Sequence, residues 1–194
     1  MKKLILSFII LCAFACNNSP KTKDQQPYVE EETQQISPDV DLEDVRTVFS
    51  TLERDPNYNS LLKLVNQAQL IDDVKSLDDV TFFAPTNAAV ERLPEDTYTS
   101  LRNPSNLEQL QGILTYHIVK GTFDAEFLKT TIEAQGTPYR VETLNGGFLS
   151  ISNNNGDLLI TDENANQVKI VEADMKSSNG IVHGIENILM PVQK

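Results

Sequence analysis

Tryptophan is absent from the 194 residues, histidine occurs twice and cysteine twice. Both cysteines, Cys12 and Cys16, lie near the N-terminus, so no disulfide framework braces the rest of the chain and no thiol set for a zinc site exists there. An apolar core must hold the fold. Basic residues are scarce as well: 16 Lys and Arg stand against 28 Asp and Glu, a formal charge of -12. Such a chain has no basic surface with which to neutralise a phosphate backbone, which excludes nucleic acid as a partner class. The longest apolar run, Leu4 to Phe14, is about half the roughly twenty residues that a membrane-spanning helix needs. What remains, 40% apolar and 23% charged residues, is ordinary for a globular domain, and the length suits one domain with a tail.

Catalytic and metal chemistry is equally thin. His117 and His183 are the only histidines, and neither belongs to an H-E-x-x-H pair. No G-x-S-x-G elbow is present to activate a serine. The turn Asn153-Asn154-Asn155-Gly156-Asp157 offers oxygen ligands, but placing Gly156 at the sixth loop position puts Ile151 first and Asp162 twelfth, where a calcium loop needs Asp and Glu. Asp72, Asp73, Asp78 and Asp79 read as a solvated acidic surface. These absences argue against an enzyme, a metal or any other cofactor.

At the N-terminus, Lys2 and Lys3 precede the apolar run and the run closes on Ala13-Phe14-Ala15-Cys16. This is the layout of an export signal, and its end resembles a bacterial lipobox. The resemblance implies that residues 1-15 are a lipoprotein signal peptide and that Cys16 becomes the lipidated first residue, carrying palmitate-type chains as a membrane anchor. Several acyl chains on one residue meet the requirement for stable anchoring. An ordinary secretory signal cut after Ala15 is the alternative. Asn17 stands where inner-membrane lipoproteins commonly carry Asp, which resembles the outer-membrane pattern in the cell envelope, with the periplasmic or the surface-exposed face left open. Residues 16-39, rich in Gln, Glu, Pro and Thr, read as a disordered tether.

From residue 40 onward the periodicity changes. Val45, Val48, Phe49 and Leu52 follow helical spacing, as do Leu61, Leu64, Val65, Ala68 and Ile71 after Pro56. Val80-Ala84 reads as a buried strand ended by Pro85, with Thr86 or Asn87 capping a short helix. Pro94 opens another helical turn. Ser105 and Glu108 form a capping box for a helix whose stripe is Leu107, Leu110, Leu114 and His117. After Gly121 the pattern predicts strands and turns: Tyr139-Leu144 and Phe148-Ser152 around an Asn-Gly turn, Leu158-Thr161, Val168-Val171 and Ile181-Leu189. Helices first and strands later predict an α+β domain over residues 40-194.

Three segments together resemble a fasciclin-type domain: TFFAPTNAAVERLP (81-94), LQGILTYHIVKG (110-121) and ADMKSSNGIVHGIENILMP (173-191). Val90, Ala88 and Gly184 depart from the family pattern, where an aromatic, an acidic and a bulky apolar residue are usual. The resemblance implies helices around a β-sandwich or wedge-shaped sheet, and a non-catalytic adhesion or interaction module binding a protein or glycan partner, or a copy of itself. It also marks Tyr116 and His117, and Asp174 with Met175, as candidate partner contacts. Each has a structural reading beside it: core rings with fixed hydrogen bonds for the first pair, a capped turn and a core gap-filler for the second. The rival readings are an envelope hydrolase, which needs a base beside a nucleophile, and a pocket for a small apolar ligand or sugar.

Overall fold

A run in which every residue is buried forms strand β1, Val80–Pro85. The computed structural model describes residues 46-192. β1 is buried on both faces because it lies between β2 (Ile118–Lys120), antiparallel, and β7 (Gly180–Ile185), parallel, with Val80 opposite Gly180 and Pro85 opposite Ile185. Strands covered on two faces carry continuous apolar runs rather than alternation. VTFFAP and GIVHGI are both runs of this kind, buried at every position.

Among the described residues the sheet has seven strands in the order β2-β1-β7-β6-β5-β4-β3. β3 (Tyr139–Glu142), β4 (Phe148–Asn154) and β5 (Asp157–Thr161) form a meander through the two Asn-Gly turns that the sequence predicts. β6 (Gln167–Ser177) joins the two halves: Gln167 to Lys169 pair with β5, while Ile170 to Ser177 pair with β7 across two register shifts. Those bulges bend the strand, as extra residues in an antiparallel ladder do. The sheet nearly closes, since Val119 in β2 bridges to Thr143 just past β3 and Leu144 N donates to Ile118 O at 2.8 Å.

Seven α-helices accompany the sheet in the described residues. α1 (Val48–Arg54), α2 (Asn59–Gln67), α3 (Ile71–Lys75), α4 (Asn87–Glu91), α5 (Glu95–Leu101) and α6 (Leu107–Tyr116) precede β2, and α7 (Ala125–Gln135) follows it. One core cluster gathers Val48, Leu52, Tyr58, Leu61, Leu64, Phe82 and Val182 beneath the first helices. A second gathers Phe83, Tyr116, Leu128, Leu149, Ile151, Ile160, Ile185 and Leu189 within the meander. Phe82 and Phe83, neighbours on one strand, thus serve different cores, and each fully buried ring contributes about 2 to 3 kcal/mol.

Local chemistry explains several helix ends. Thr86 Oγ1 accepts from Ala89 N at 3.2 Å to cap α4, while Asn87 reaches back, accepting from Ser60 N and donating to Pro56 O. Asp124 caps α7 through Phe127 N at 2.7 Å, and Gly136 ends it in the left-handed region at φ 66°, where a residue without Cβ carries no penalty.

Several expectations need correction. The stripe through Ala68 and Ile71 is not one helix, because Gln69 turns left-handed at φ 59° and Ile71 begins α3. The Ser105-Glu108 capping box does not form: Asn103 accepts from Ser105 N, residues 104-106 make a 3-10 turn, and α6 starts at Leu107 with no side-chain cap. β2, just before Gly121, and α7, after it in the stretch where strands and turns are expected, are not among the predicted elements. β6 extends to Ser177, β7 stops at Ile185, and β1 interrupts the helix-first order by pairing with the final strand. The signal peptide, Cys16, the tether and Val45 lie outside the described residues.

Gly184, where the fasciclin pattern has a bulky residue, has a local explanation. A Cβ there would stand 2.3 Å from the Tyr58 hydroxyl. The tyrosine fills the space instead, fully buried, and donates to Glu172 Oε2 at 2.8 Å. Burial, and then the Glu172 carboxylate, push its phenol well above the usual range.

Candidate functional site

The four candidate contact residues fall into two places. Tyr116 closes α6 and His117 is its C-cap. Both are buried, at 0% and 1% exposure, and Tyr116 belongs to the second core. His117 Nδ1 stands 2.7 Å from Ile113 O, and Leu189 N points at Nε2 from 3.0 Å. A carbonyl can only accept and an amide can only donate, so Nδ1 carries the proton and the ring is neutral. Burial pushes its pKa down to about 4, against a partial opposing pull from the Ile113 carbonyl. Tyr116 Oη donates to Phe148 O at 2.9 Å and accepts from Glu163 N at 3.1 Å, and burial pushes its phenol up to about 12. The pair pins three segments to the end of α6: the start of β4, the turn after β5 and the C-terminal stretch at Leu189.

Asp174 and Met175 occupy the bulge of β6. Asp174 is left-handed at φ 62°, a conformation that Asp tolerates better than most residues. Its Oδ1 accepts from Ala125 N, the first residue of α7, at 2.8 Å. Its role as a cap is therefore tertiary, reaching helix α7 and not the local turn at Ser177 and Ser178. Its side chain stays about 36% exposed, and Met175, half-buried, packs against the first core opposite Val182.

His183 links the two halves of this corner. Its ring stacks on Phe83 at 5.7 Å, Nε2 donates to Phe123 O at 2.8 Å, and Nδ1 accepts from Asp174 N at 3.2 Å. This ring too is neutral. Burial lowers its pKa, while the Phe123 carbonyl, Asp174 and Asp124 pull the other way.

Beside the bulge lies a surface feature that depends on α7. Phe123, Phe127 and Tyr139 form a three-ring cluster with centroids 5.7 to 5.8 Å apart, and Phe127 is 43% exposed. The signals available were Asp124 as a cap, Leu128 and Ile132 four residues apart, and Gly136 at the end; together they specify α7 and bring Phe127 toward Tyr139.

A hollow of about 860 Å3 is an open groove between α5, α6 and the C-terminal segment, with Leu101, Ile113, Met190 and Val192 as apolar walls and Gln109, Asn145 and Asn164 as carboxamides. Neither histidine lines it, nor the cavities of about 420 and 330 Å3. Among the described residues no cluster of His, Cys, Asp and Glu is arranged to hold a metal ion. No described helix is long and apolar enough to cross a membrane.

Residues 56-191 match the fasciclin domain model. The chain is 30% identical over 145 residues to protein sll1483 of Synechocystis, covering 75% of this chain and 73% of that protein. It is 31% identical over 133 residues to the cell surface glycolipoprotein MPB83 of Mycobacterium bovis, covering 66% of this chain and 51% of the relative. Its fold resembles a FAS1 domain pair from the insect cell adhesion molecule Fasciclin I, with a TM-score of 0.64, 20% identity, and coverage of 77% of this chain and 51% of that one. The chain belongs to the fasciclin domain family. Its domain type thus occurs in a cell-surface protein and in an adhesion molecule.

Proposed function

We propose that the protein is a non-catalytic interaction module of the cell envelope, anchored by lipid on Cys16 and holding its domain on the residue 16-39 tether. Its partner is another surface protein or an envelope glycan, with self-association as a variant of the same reading. One observation carries the placement of the contact: of the four candidates, Asp174 and Met175 reach solvent, whereas Tyr116 and His117 are sealed inside. The second pair serves binding indirectly, by fixing the scaffold. Family membership and the surface and adhesion contexts of the two relatives support the general role.

Two experiments test the reading. Cys16→Ser should move the full chain from the membrane to the soluble fraction; retention at the membrane would remove the lipid anchor from the account. Asp174→Asn preserves an acceptor for Ala125 N and the tolerance for a left-handed backbone while deleting the charge. Capture of the envelope partner should weaken about tenfold, the effect of one lost charge-assisted contact, with the thermal midpoint little changed. Unchanged capture would move the contact elsewhere.

A second reading draws on the groove. Its size falls in the range of small-molecule sites, and Glu108 is the one charged residue among those lining it, which suits a small uncharged ligand such as a sugar. Stabilisation by neutral sugars, abolished by Asn145→Ala, would favour it over partner binding at the bulge.

A further inference from the structure

We infer that the joint among His183, Asp174 and Ala125 is an acid-sensitive latch, in which protonation of His183 frees the β6 bulge and the first turn of α7 while β1 and β7 remain paired. The device is independent of the partner proposed above. It follows from the direction of three hydrogen bonds. His183 Nε2 donates to Phe123 O, Nδ1 accepts from Asp174 N, and Asp174 Oδ1 accepts from Ala125 N. The chain of bonds is complete only when the imidazole is neutral.

A proton on Nδ1 turns that atom into a donor facing a donor, the Asp174 amide. Asp174 Oδ1 stands 3.9 Å away and already holds Ala125 N. Turning the carboxylate toward the ring loosens the start of α7. It also leaves the Asp174 amide without its acceptor and removes the bond that holds a non-glycine residue at φ 62°. The remainder of α7 has its own anchor, since Leu128 and Ile132 are buried in the second core. Opening is therefore confined to the bulge and the first turn, the part that carries Phe127 and stacks it on Phe123.

The neighbours of His183 decide why this joint opens first. β1 presents the uncharged Phe83 ring, the segment before α7 presents the Phe123 carbonyl and the Asp124 carboxylate, and β6 presents Asp174. Two carboxylates thus favour the imidazolium here. His117 accepts an amide in the same way, from Leu189, yet no carboxylate acts on it. Mild acid consequently acts at the bulge before it acts at the end of α6.

Amide hydrogen exchange of the full chain in detergent, corrected for intrinsic rates and compared at pH 7.5 and pH 5, tests the latch. Protection at Ala125 and Asp174 should fall about tenfold, as expected for one pH unit of linked protonation, through an opening of lower free energy than the one that exposes Phe82 and Val182, which stay the better protected pair at both pH values. In His183→Gln, a neutral carboxamide able to donate to Phe123 O and accept from Asp174 N, the loss should vanish. Equal protection at all four amides at pH 5, no loss at Ala125 and Asp174, or persistence of the loss in His183→Gln would each overturn the proposal. Should that variant fail to fold, the His183 ring can be titrated by NMR in the unmodified chain: coincidence of its midpoint with the exchange midpoint supports the latch, and separation of the two overturns it.

Discussion

The end of α6 and the bulge of β6 meet the rest of the domain through the same kind of bond, a side chain from one element holding a backbone amide of another. At the first, His117 and Tyr116 take amides from Leu189 and Glu163 in a sealed interior. At the second, Asp174 takes Ala125 N and His183 takes Asp174 N at a corner where the carboxylate still meets solvent. Sealed bonds add rigidity and stability but offer nothing to a partner. Half-open ones can serve a partner and can be undone by a change in solvent. The family resemblance marked both pairs alike; their exposure separates them.

The sharpest test of this contrast is His117→Ala. It leaves a cavity and orphans both Ile113 O and Leu189 N, so stability should fall by about 3 to 5 kcal/mol, measured by urea unfolding. An effect below about 1 kcal/mol would show that the ring is not the brace described here.

Acid should produce the next largest effect. Both histidines are neutral in the folded state and their pKa values are lowered by burial, so between the ordinary value of 6.5 and the folded value the unfolded chain binds more protons. Stability is then fully present above about pH 6.5 and is lost as pH falls toward 4. For His117 that window corresponds to about 3 kcal/mol, at 1.36 kcal/mol per pH unit. Unfolding free energies measured from pH 7 to pH 4 in His117→Gln should lose most of that slope.

Smaller changes sharpen the contrast further. Tyr116→Phe keeps the ring and deletes the hydroxyl shared by Phe148 O and Glu163 N, which should cost about 1 to 2 kcal/mol with partner capture unchanged. Phe127→Ala removes a partly exposed ring from the cluster next to the bulge and should cost about 1 kcal/mol or less. A larger loss, read from the shift in thermal midpoint, would mean that the aromatic cluster is a core element and not a surface feature.

Much of this architecture was legible residue by residue. The apolar run at β1, the two Asn-Gly turns of the meander and Thr86 as a cap all follow from local rules, and all are present. Helix α7 escaped because its stripe is short, with Leu128 and Ile132 as its buried residues and Phe127 turned outward. The Ser105-Glu108 pattern misled because Pro104 and Asn103 favour a 3-10 turn that takes up Ser105 first. At the candidate site, the residues themselves are visible, but the local pattern predicts Asp174 as a cap of its own turn. Its true acceptor role spans 49 positions of sequence, beyond the reach of any local pattern.

The sequence by itself determined the composition that demands an apolar core, the strands buried on both faces, the turns, the Thr86 cap, and the motifs that specify a fasciclin domain. Tertiary structure alone decided which motif residues face inward, how β6 bends to join both halves of the sheet, and that His183, Asp174 and Ala125 meet at one corner. Periodicity and capping are written in neighbouring residues, whereas exposure and hydrogen-bond direction between distant segments exist only once the chain has closed on itself.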